Sequence, residues 1–260
     1  ISNQIVFPGA NLIPMSGEGK RFKEYGYRVS KPLIEINKKP MLINTCMTFP
    51  KTKNWNFVIN NKDNLNNRIS KMINEIDYQS KIITVNKITQ GPAASCYLAK
   101  KLINQNEPLF ISSCDYLTIF NEKKFKQLTQ KKDIDGVIWT YKLNDIIVKS
   151  FDSFGYCKVN KNHIVKKIVE KKTISTKPYN DQMLIGSFWF KKAKYFFENF
   201  EKAQKVKNLL NNEYYVGNNI NLLLNKKMKF IVFEIDQWIT LNDPFELKVF
   251  EYWKTLFENK

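Results

Sequence analysis

Histidine is almost missing from this chain. His163 is the only one in 260 residues, and it follows Asn162 in a polar turn. That argues against a histidine-based catalytic triad and against a zinc site. Cysteine is sparse too: Cys46, Cys96, Cys114 and Cys157 show no metal-type spacing. Free, partly buried thiols in a reducing, cytoplasmic setting are expected. There is no run of about 18 apolar residues that would span a membrane and no signal-peptide pattern. The first residue is Ile rather than Met, which fits a trimmed chain or a piece of a longer polypeptide.

Acidic residues are few. Lysine plus arginine is 42 against 24 aspartate plus glutamate, a net charge of +18. Such an excess invites a nucleic-acid reading. The lysines are scattered, however, many in Asn/Lys-rich stretches such as Lys53 to Asn67. Dispersed charge favours a solvated surface that attracts anionic small molecules over a nucleic-acid stripe. No nucleic-acid partner is expected.

What the chain does have is Asn11 to Leu33, NLIPMSGEGKRFKEYGYRVSKPL. An apolar strand runs into Ser16-Gly17-Glu18-Gly19-Lys20-Arg21, and Lys31-Pro32-Leu33 follows. Gly17 and Gly19 permit turns that a side chain would block. A strand-to-helix turn of this kind points backbone N–H groups at an anion, and Lys20, Arg21 and Lys31 add charge suited to a triphosphate. No Gly-Lys-Ser/Thr follows and a third glycine is missing, so neither the P-loop nor the dinucleotide fingerprint applies.

This stretch resembles the signature of the sugar-phosphate nucleotidyltransferases, the nucleotide-sugar pyrophosphorylase-like family, written G-x-G-x-R-[FL] followed by [PS]-K-P-[LM]. Ile34 to Leu42 continues the likeness to V-x-G-K-P-M-[IL]. Lys20 stands where Ser or Thr is common, and Lys38 where Gly is usual. The resemblance extends over nearly the whole chain.

In order, the pattern predicts a short lead-in strand at Ile5–Phe7, a central strand at Asn11–Met15, and a short strand at Ile34–Ile36. A helix over Met41–Phe49 is opened by Lys39-Pro40. A strand at Trp55–Asn60 follows, then a helix over Asn64–Ile76 with Leu65, Ile69, Met72, Ile73 and Ile76 at helical spacing. Further strands are predicted at Ser80–Val85, Pro108–Ser112, Gly136–Tyr141, Met183–Phe190 and Lys229–Glu234. A hairpin turns at Asn160-Lys161-Asn162, and Pro244–Phe257 reads as a closing amphipathic helix. Alternation of strands and helices argues one α/β domain, with a doubly wound, mostly parallel but mixed, Rossmann-like sheet. Ligands bind such sheets at the carboxyl ends of strands. The expected division is a nucleotide part at 1–142, an acceptor part at 143–235 and a closing segment at 236–260.

Asp115, after the apolar run Pro108 to Ser112, is the expected magnesium ligand beside phosphate oxygens; the competing reading is a helix cap. Gly186 inside a strand marks a close backbone approach. The remaining assignments are what the resemblance implies. Gln90, Gly91 and Ala94 form the loop that reads the base through backbone groups. Glu170 and Lys171 match E-K-[KP] and reach the acceptor, although the run Glu170 to Lys172 also reads as a solvated charge stretch. Gly155 and Gly186 fall in the region that walls the acceptor pocket, and Glu213 corresponds to the ligand of an acceptor hydroxyl. Trp238 to Leu247 resembles W-x-D-x-G-T-P-E-D-L, but Thr240 replaces the usual Asp. That leaves Asn242, the favoured candidate, or Asp243 to complete the metal site. Arg21, Lys31 and Asp115 would be catalytic, with Ser16, Gly17, Glu18, Gly19 and Lys20 on the triphosphate.

The resemblance implies transfer of a nucleoside monophosphate from a triphosphate to a phosphorylated acceptor, a sugar 1-phosphate above all, for surface polysaccharide precursors. Alternatives are cytidylyl transfer to a non-sugar phosphate, a nucleic-acid-binding module, or an inactive relative.

Overall fold

A computed structural model of the chain describes residues 5–64, 67–77, 79–143, 148 and 150–258. The first half contains β1 (Ala10–Met15), α1 (Lys20–Glu24), β2 (Glu35–Ile36), β3 (Lys39–Pro40), α2 (Met41–Met47), β4 (Trp55–Asn60) and α3 (Arg68–Ile76). Then come β5 (Lys81–Val85), α4 (Pro92–Tyr97), β6 (Leu109–Ile111), β7 (Tyr116–Ile119), α5 (Glu122–Thr129) and β8 (Gly136–Tyr141). The second half adds β9 (Gly155–Val159), β10 (Val165–Glu170), β11 (Gln182–Phe190), α6 (Ala193–Lys205), α7 (Val216–Leu224), β12 (Phe230–Glu234), β13 (Gln237–Thr240) and α8 (Pro244–Glu258).

Two-residue periodicity decides how β1 packs. Ile13 and Met15 face one hydrophobic cluster while Ala10 and Leu12 face the other, because successive strand side chains point to opposite faces. One layer, from α2, α3 and α5, supplies Leu42, Cys46, Ile69, Met72 and Phe125. The opposite layer, from α4, α6 and α7, supplies Cys96, Phe196, Phe197, Phe200 and Ile220. Trp139 on β8 centres the first cluster, its ring centroid 4.5 Å from Phe120, 5.1 Å from Phe110 and Phe125, and 5.5 Å from Phe233. All four cysteines are free and buried, more completely than the sequence implies.

The central path of the sheet runs β5, β4, β1, β6, β11, β8, β12. β5, β4, β1 and β6 run parallel to one another, as β12 does to β8. β11 is antiparallel to both β6 and β8, which makes the doubly wound sheet mixed. β11 also pairs through Gln182 and Met183 with β9, and β9 with β10. Along one edge of β11, therefore, β6 occupies one end and β9 the other. The register breaks between Leu184 and Phe188, around Gly186 at φ +89°. The stretch of β11 between its two partners is where the sheet opens.

Several local expectations change. Ile5–Phe7 forms no strand, only a bridge of Val6 to Lys51. Lys39-Pro40 pairs with β2 before α2 begins, so Pro40 caps that helix from outside it. The turn between β2 and β3 is Asn37-Lys38, both left-handed at φ +53° and +62°. That geometry favours glycine at the second position, which accounts for Lys38 standing out against the family pattern. The helix expected from Asn64 starts at Arg68, after left-handed Asn67; Leu65 lies outside the described residues. The strands β7 and β13 and the helices α5 and α6 were not anticipated.

Edge strand β10 is covered by one side chain. Asn221 of α7 accepts from the Ile168 N–H at 2.9 Å and donates to the Ile168 carbonyl at 2.9 Å. It satisfies an exposed rung that would otherwise template pairing with another strand. Asn221→Leu should therefore lower stability by about 1–3 kcal/mol through unpaired backbone groups, read as a lower urea midpoint at unchanged slope.

Candidate active site

The site is assembled by a short ribbon. β7 and β13 pair antiparallel, Tyr116 opposite Thr240, and the Leu241 N–H donates to the Asp115 carbonyl at 2.8 Å. This places Asp115 and Asn242, far apart in sequence, on adjoining strand ends. A strand follows Asp115, so it caps no helix. Lys31 arrives from the glycine-loop side, and its Nζ donates to Asp115 Oδ2 at 2.6 Å and to the Asn242 backbone carbonyl at 3.3 Å. A small cluster of Phe22, Ile34, Ile36, Met41, Leu241 and Leu247 clamps these segments together. Ser113 Oγ donates to the other Asp115 oxygen. Burial pushes the Asp115 carboxyl up, but Lys31, Ser113 and the charge of Arg21 outweigh it and hold the group below the usual carboxylate range.

The turn after β13 is fixed by reciprocal capping. Asp243 Oδ1 accepts from the Glu246 N–H at 2.9 Å. Glu246 Oε2 accepts from the N–H groups of Asn242 and Asp243 at 2.8 and 3.1 Å, and from the Thr240 hydroxyl at 2.8 Å. Thr240 is thus committed to the cap. The signal was present in Asp243-Pro244-Phe245-Glu246, a capping-box spacing with proline at the first helical position.

The glycine loop bends through Gly19 at φ +61° into α1. Lys20 lies on the outer face, its amine 3.7 Å from Glu24. Buried Ser16 meets Ser95 Oγ to Oγ at 2.9 Å, joining this loop to the Gln90 loop. Gly91 has φ +97°, and a methyl group there would stand 2.8 Å from the Tyr214 nitrogen. The Gln90 carbonyl accepts from the Tyr214 N–H at 2.9 Å, and the Gly91 N–H donates to Thr89 at 2.8 Å. Those two backbone groups are therefore already paired within the protein.

Glu170 ends β10 in a slot. A methyl group on Gly217 would lie 2.2 Å from its Oε1, and one on Gly155 2.6 Å from its Oε2. Both glycines are there because the carboxyl fills the space. Burial raises the Glu170 pKa to about 7, against the pull of Lys171 and of the Asn218 N–H at the start of α7. Lys171 is left-handed at φ +56°. Its amine donates to the Ser153 carbonyl at 2.5 Å and stands 5.9 Å from the Tyr215 ring. Gly186 meets only Tyr116 Cε1, at 4.0 Å, so its positive φ and the strand break, not a close backbone approach, require glycine.

A cleft of about 500 Å³ joins these parts at the opening beside β11. Among the expected residues, Arg21, Asp115, Gly155, Glu170, Lys171, Gly186 and Asn242 line it, and so does Asp243. Lys31 reaches it through Asp115. Ser16, Gly17, Glu18, Gly19, Lys20, Gln90, Gly91, Ala94 and Glu213 do not line it, although Pro14 and Pro92 beside their loops do. Glu213 instead accepts from the Tyr215 hydroxyl at 2.6 Å. The sequence reading missed Glu246 and a buried hydroxyl triangle. In that triangle the Tyr116 hydroxyl lies 2.6 Å from Ser112 Oγ and 2.5 Å from Ser187 Oγ, with the two serines 2.9 Å apart. Ordinary strand serines carry no sequence signal of this kind.

The profile of the family described as "Nucleotidyl transferase" matches residues 10–254. No curated protein matches the chain by sequence. Among solved structures, the chain is similar to the nucleoside-diphosphate-sugar pyrophosphorylase from Vibrio cholerae RC9, with 18% identity, 92% of this chain and 98% of that one covered, and TM-score 0.76. A UDP-glucose pyrophosphorylase complexed with UDP-glucose gives 18%, 96% and 100%, and 0.72. The inositol-1-phosphate CTP transferase from T. maritima gives 18%, 93% and 93%, and 0.69. At these identities the likeness is one of fold.

The raised Glu170 has a sign that can be measured. Between the ordinary glutamate range and about 7, the unfolded chain has lost this proton and the folded chain keeps it. Stability contributed by the group therefore falls as pH rises through that window and levels off above it. Glu170→Gln should remove this slope, so that wild type loses melting temperature relative to the variant from pH about 5 to about 7. Parallel melting curves for the two proteins across that range would refute the assignment.

Proposed function

The chain belongs to the nucleotidyl transferase family, and from that premise we propose that its cleft joins a nucleoside triphosphate to a phosphorylated small acceptor of the sugar 1-phosphate class. An oxygen of the acceptor phosphate forms a bond to the α-phosphorus. The bond from that phosphorus to the β-phosphate bridging oxygen breaks, and pyrophosphate leaves with the electron pair. The carrying observation is that Arg21 and Asp115 line the same cleft as Glu170 and Lys171. The first pair suits a polyphosphate; the second offers a cation for a phosphate and a carboxyl for a hydroxyl.

No protein nucleophile is needed, because the acceptor phosphate is already an anion. The chain's part is positioning and charge neutralisation. Arg21 and the glycine loop hold the triphosphate tail, Lys31 meets the transferring phosphoryl, and Lys171 orients the acceptor phosphate. Residues 1–142 then serve the nucleotide, 143–235 the acceptor, and 236–260 close the site.

The residues fit a magnesium ion held by Asp115 and Asn242. Magnesium takes one or two carboxylates plus substrate oxygens; Asp115 is kept ionised, and Asn242 adjoins it across the ribbon. No group of three or more His, Cys, Asp or Glu side chains is poised for a metal among the described residues, which suits an ion that relies on the triphosphate. Magnesium, when bound, would neutralise phosphate charge in the transition state.

A pyrophosphate-release screen of common nucleoside triphosphates against phosphorylated sugars and polyols tests the reading; no release with any pair would overturn it. With the active pair, Arg21→Ala and Asp115→Asn should each cost about two orders of magnitude in kcat/KM. Arg21→Ala should melt near wild type, whereas Asp115→Asn, which leaves the Lys31 ammonium without its carboxylate, should melt lower; near-normal turnover in either removes it from the machinery.

Lys31 generates a separate expectation. Its ammonium holds the Asp115 carboxylate in the nucleotide-free protein, so it competes with a cation there. Lys31→Gln should tighten Mn²⁺ binding to the nucleotide-free protein by about tenfold in calorimetry while lowering turnover. Unchanged or weaker binding would separate the lysine from the metal position.

A further inference from the structure

We propose that the exposed face of α8 is where two copies of this chain meet in a two-fold dimer. Among the described residues of α8, only Pro244 and Leu247 are buried. Phe245, Val249, Tyr252, Trp253, Leu256 and Phe257 are between 39% and 66% exposed, and most recur at intervals of three or four residues, which places them along one side of the helix. Phe245, Val249, Trp253 and Phe257 of this side also line a groove of about 680 Å³ that α8 forms with Trp238 and Ile239 of β13. A monomer seldom leaves an aromatic patch of this extent to water.

Area and charge identify the occupant. With about 150–250 Å² for an aromatic side chain, the exposed fractions amount to apolar surface on the order of 600 Å² per copy. A standard interface needs roughly 800 Å² per partner, so the patch with a thin polar rim is the right size. The chain carries +18 overall, yet α8 has two lysines against three glutamates. Its Lys248–Glu251 and Lys254–Glu258 pairs, at 3.0 and 3.1 Å, neutralise one another within the helix. Nucleic acid, an anionic membrane or an acidic protein would choose the lysine-rich faces. A second +18 chain is repelled from those faces and meets least repulsion here. Helix side and groove form one continuous apolar surface, and a two-fold axis sets that surface against its own copy, residue i meeting j and j meeting i.

Sedimentation equilibrium of the 260-residue chain over a concentration series provides the test. The expected result is a closed species of twice the 30.7 kDa chain mass that persists at high salt. Tyr252→Glu with Trp253→Glu should return it to the single-chain mass with an unchanged far-ultraviolet circular dichroism spectrum and a melting temperature that no longer rises with protein concentration. A wild type that stays single-chain throughout, open-ended aggregates, or a doubly substituted protein that still dimerises would each overturn the proposal. Single-chain wild type that co-sediments with phosphatidylserine vesicles, and loses that binding in the variant, would assign the face to a lipid surface instead.

Discussion

The contact between the Lys31 ammonium, the Asp115 carboxylate and the Asn242 carbonyl holds the site together. Two hydrogen bonds from one amine, at 2.6 and 3.3 Å, join the glycine-loop segment, the start of β7 and the end of β13. A charge pair so little exposed adds small net stability when intact but is costly to break, because either partner alone would be left desolvated. It therefore specifies an arrangement more than it supplies free energy. The apolar cluster around Phe22 and Leu247 brings the three segments close, and the ion pair fixes their register. The ribbon and the capped turn then place Asp115 and Asn242 with little freedom.

The topology explains why a cleft exists here. β1 lies between β4 and β6 while the chain order reverses around it, and such a switch point leaves a crevice at the strand ends. β11 widens it by serving β6 with one end and β9 with the other. The Leu184–Phe188 stretch, with left-handed Gly186 in the middle, lets the strand change partners without closing the gap. An aromatic cluster on one face and a phenylalanine-rich helical layer on the other keep the sheet rigid behind it.

Much of this was legible in the sequence where local chemistry is decisive. β4 and β8, apolar runs with firm boundaries, fell where periodicity puts them, as did the hairpin at Asn160 to Asn162. The glycine loop and Asp115 announced themselves by residue type and position after an apolar strand. The ribbon of β7 and β13 did not, because Tyr116–Ile119 and Gln237–Thr240 are four residues each and owe their pairing to partners more than a hundred positions away. α5 is mostly charged, with Phe125 its one fully buried side chain, so its apolar stripe is too thin to read. The hydroxyl triangle is a product of packing, and no spacing rule reaches across β6, β7 and β11. Gly186 illustrates a subtler limit: its importance was readable, but conformation rather than crowding was the reason.

Glu170, Gly155 and Gly217 form a three-body steric unit. The carboxyl occupies the volume that a side chain at either glycine would need, so the three positions cannot change independently. A lineage drifting toward another acceptor could not first enlarge position 155 or 217 while the glutamate remained. The glutamate would have to shrink before a glycine gained a side chain, and the intermediate would carry an empty slot at the mouth of α7. Such an ordered path makes this part of the cleft wall slow to diversify, whereas an outward-facing position such as Lys20 can vary by itself. Divergence in this protein should therefore proceed faster at such exposed positions than along the wall formed by Gly155, Glu170 and Gly217.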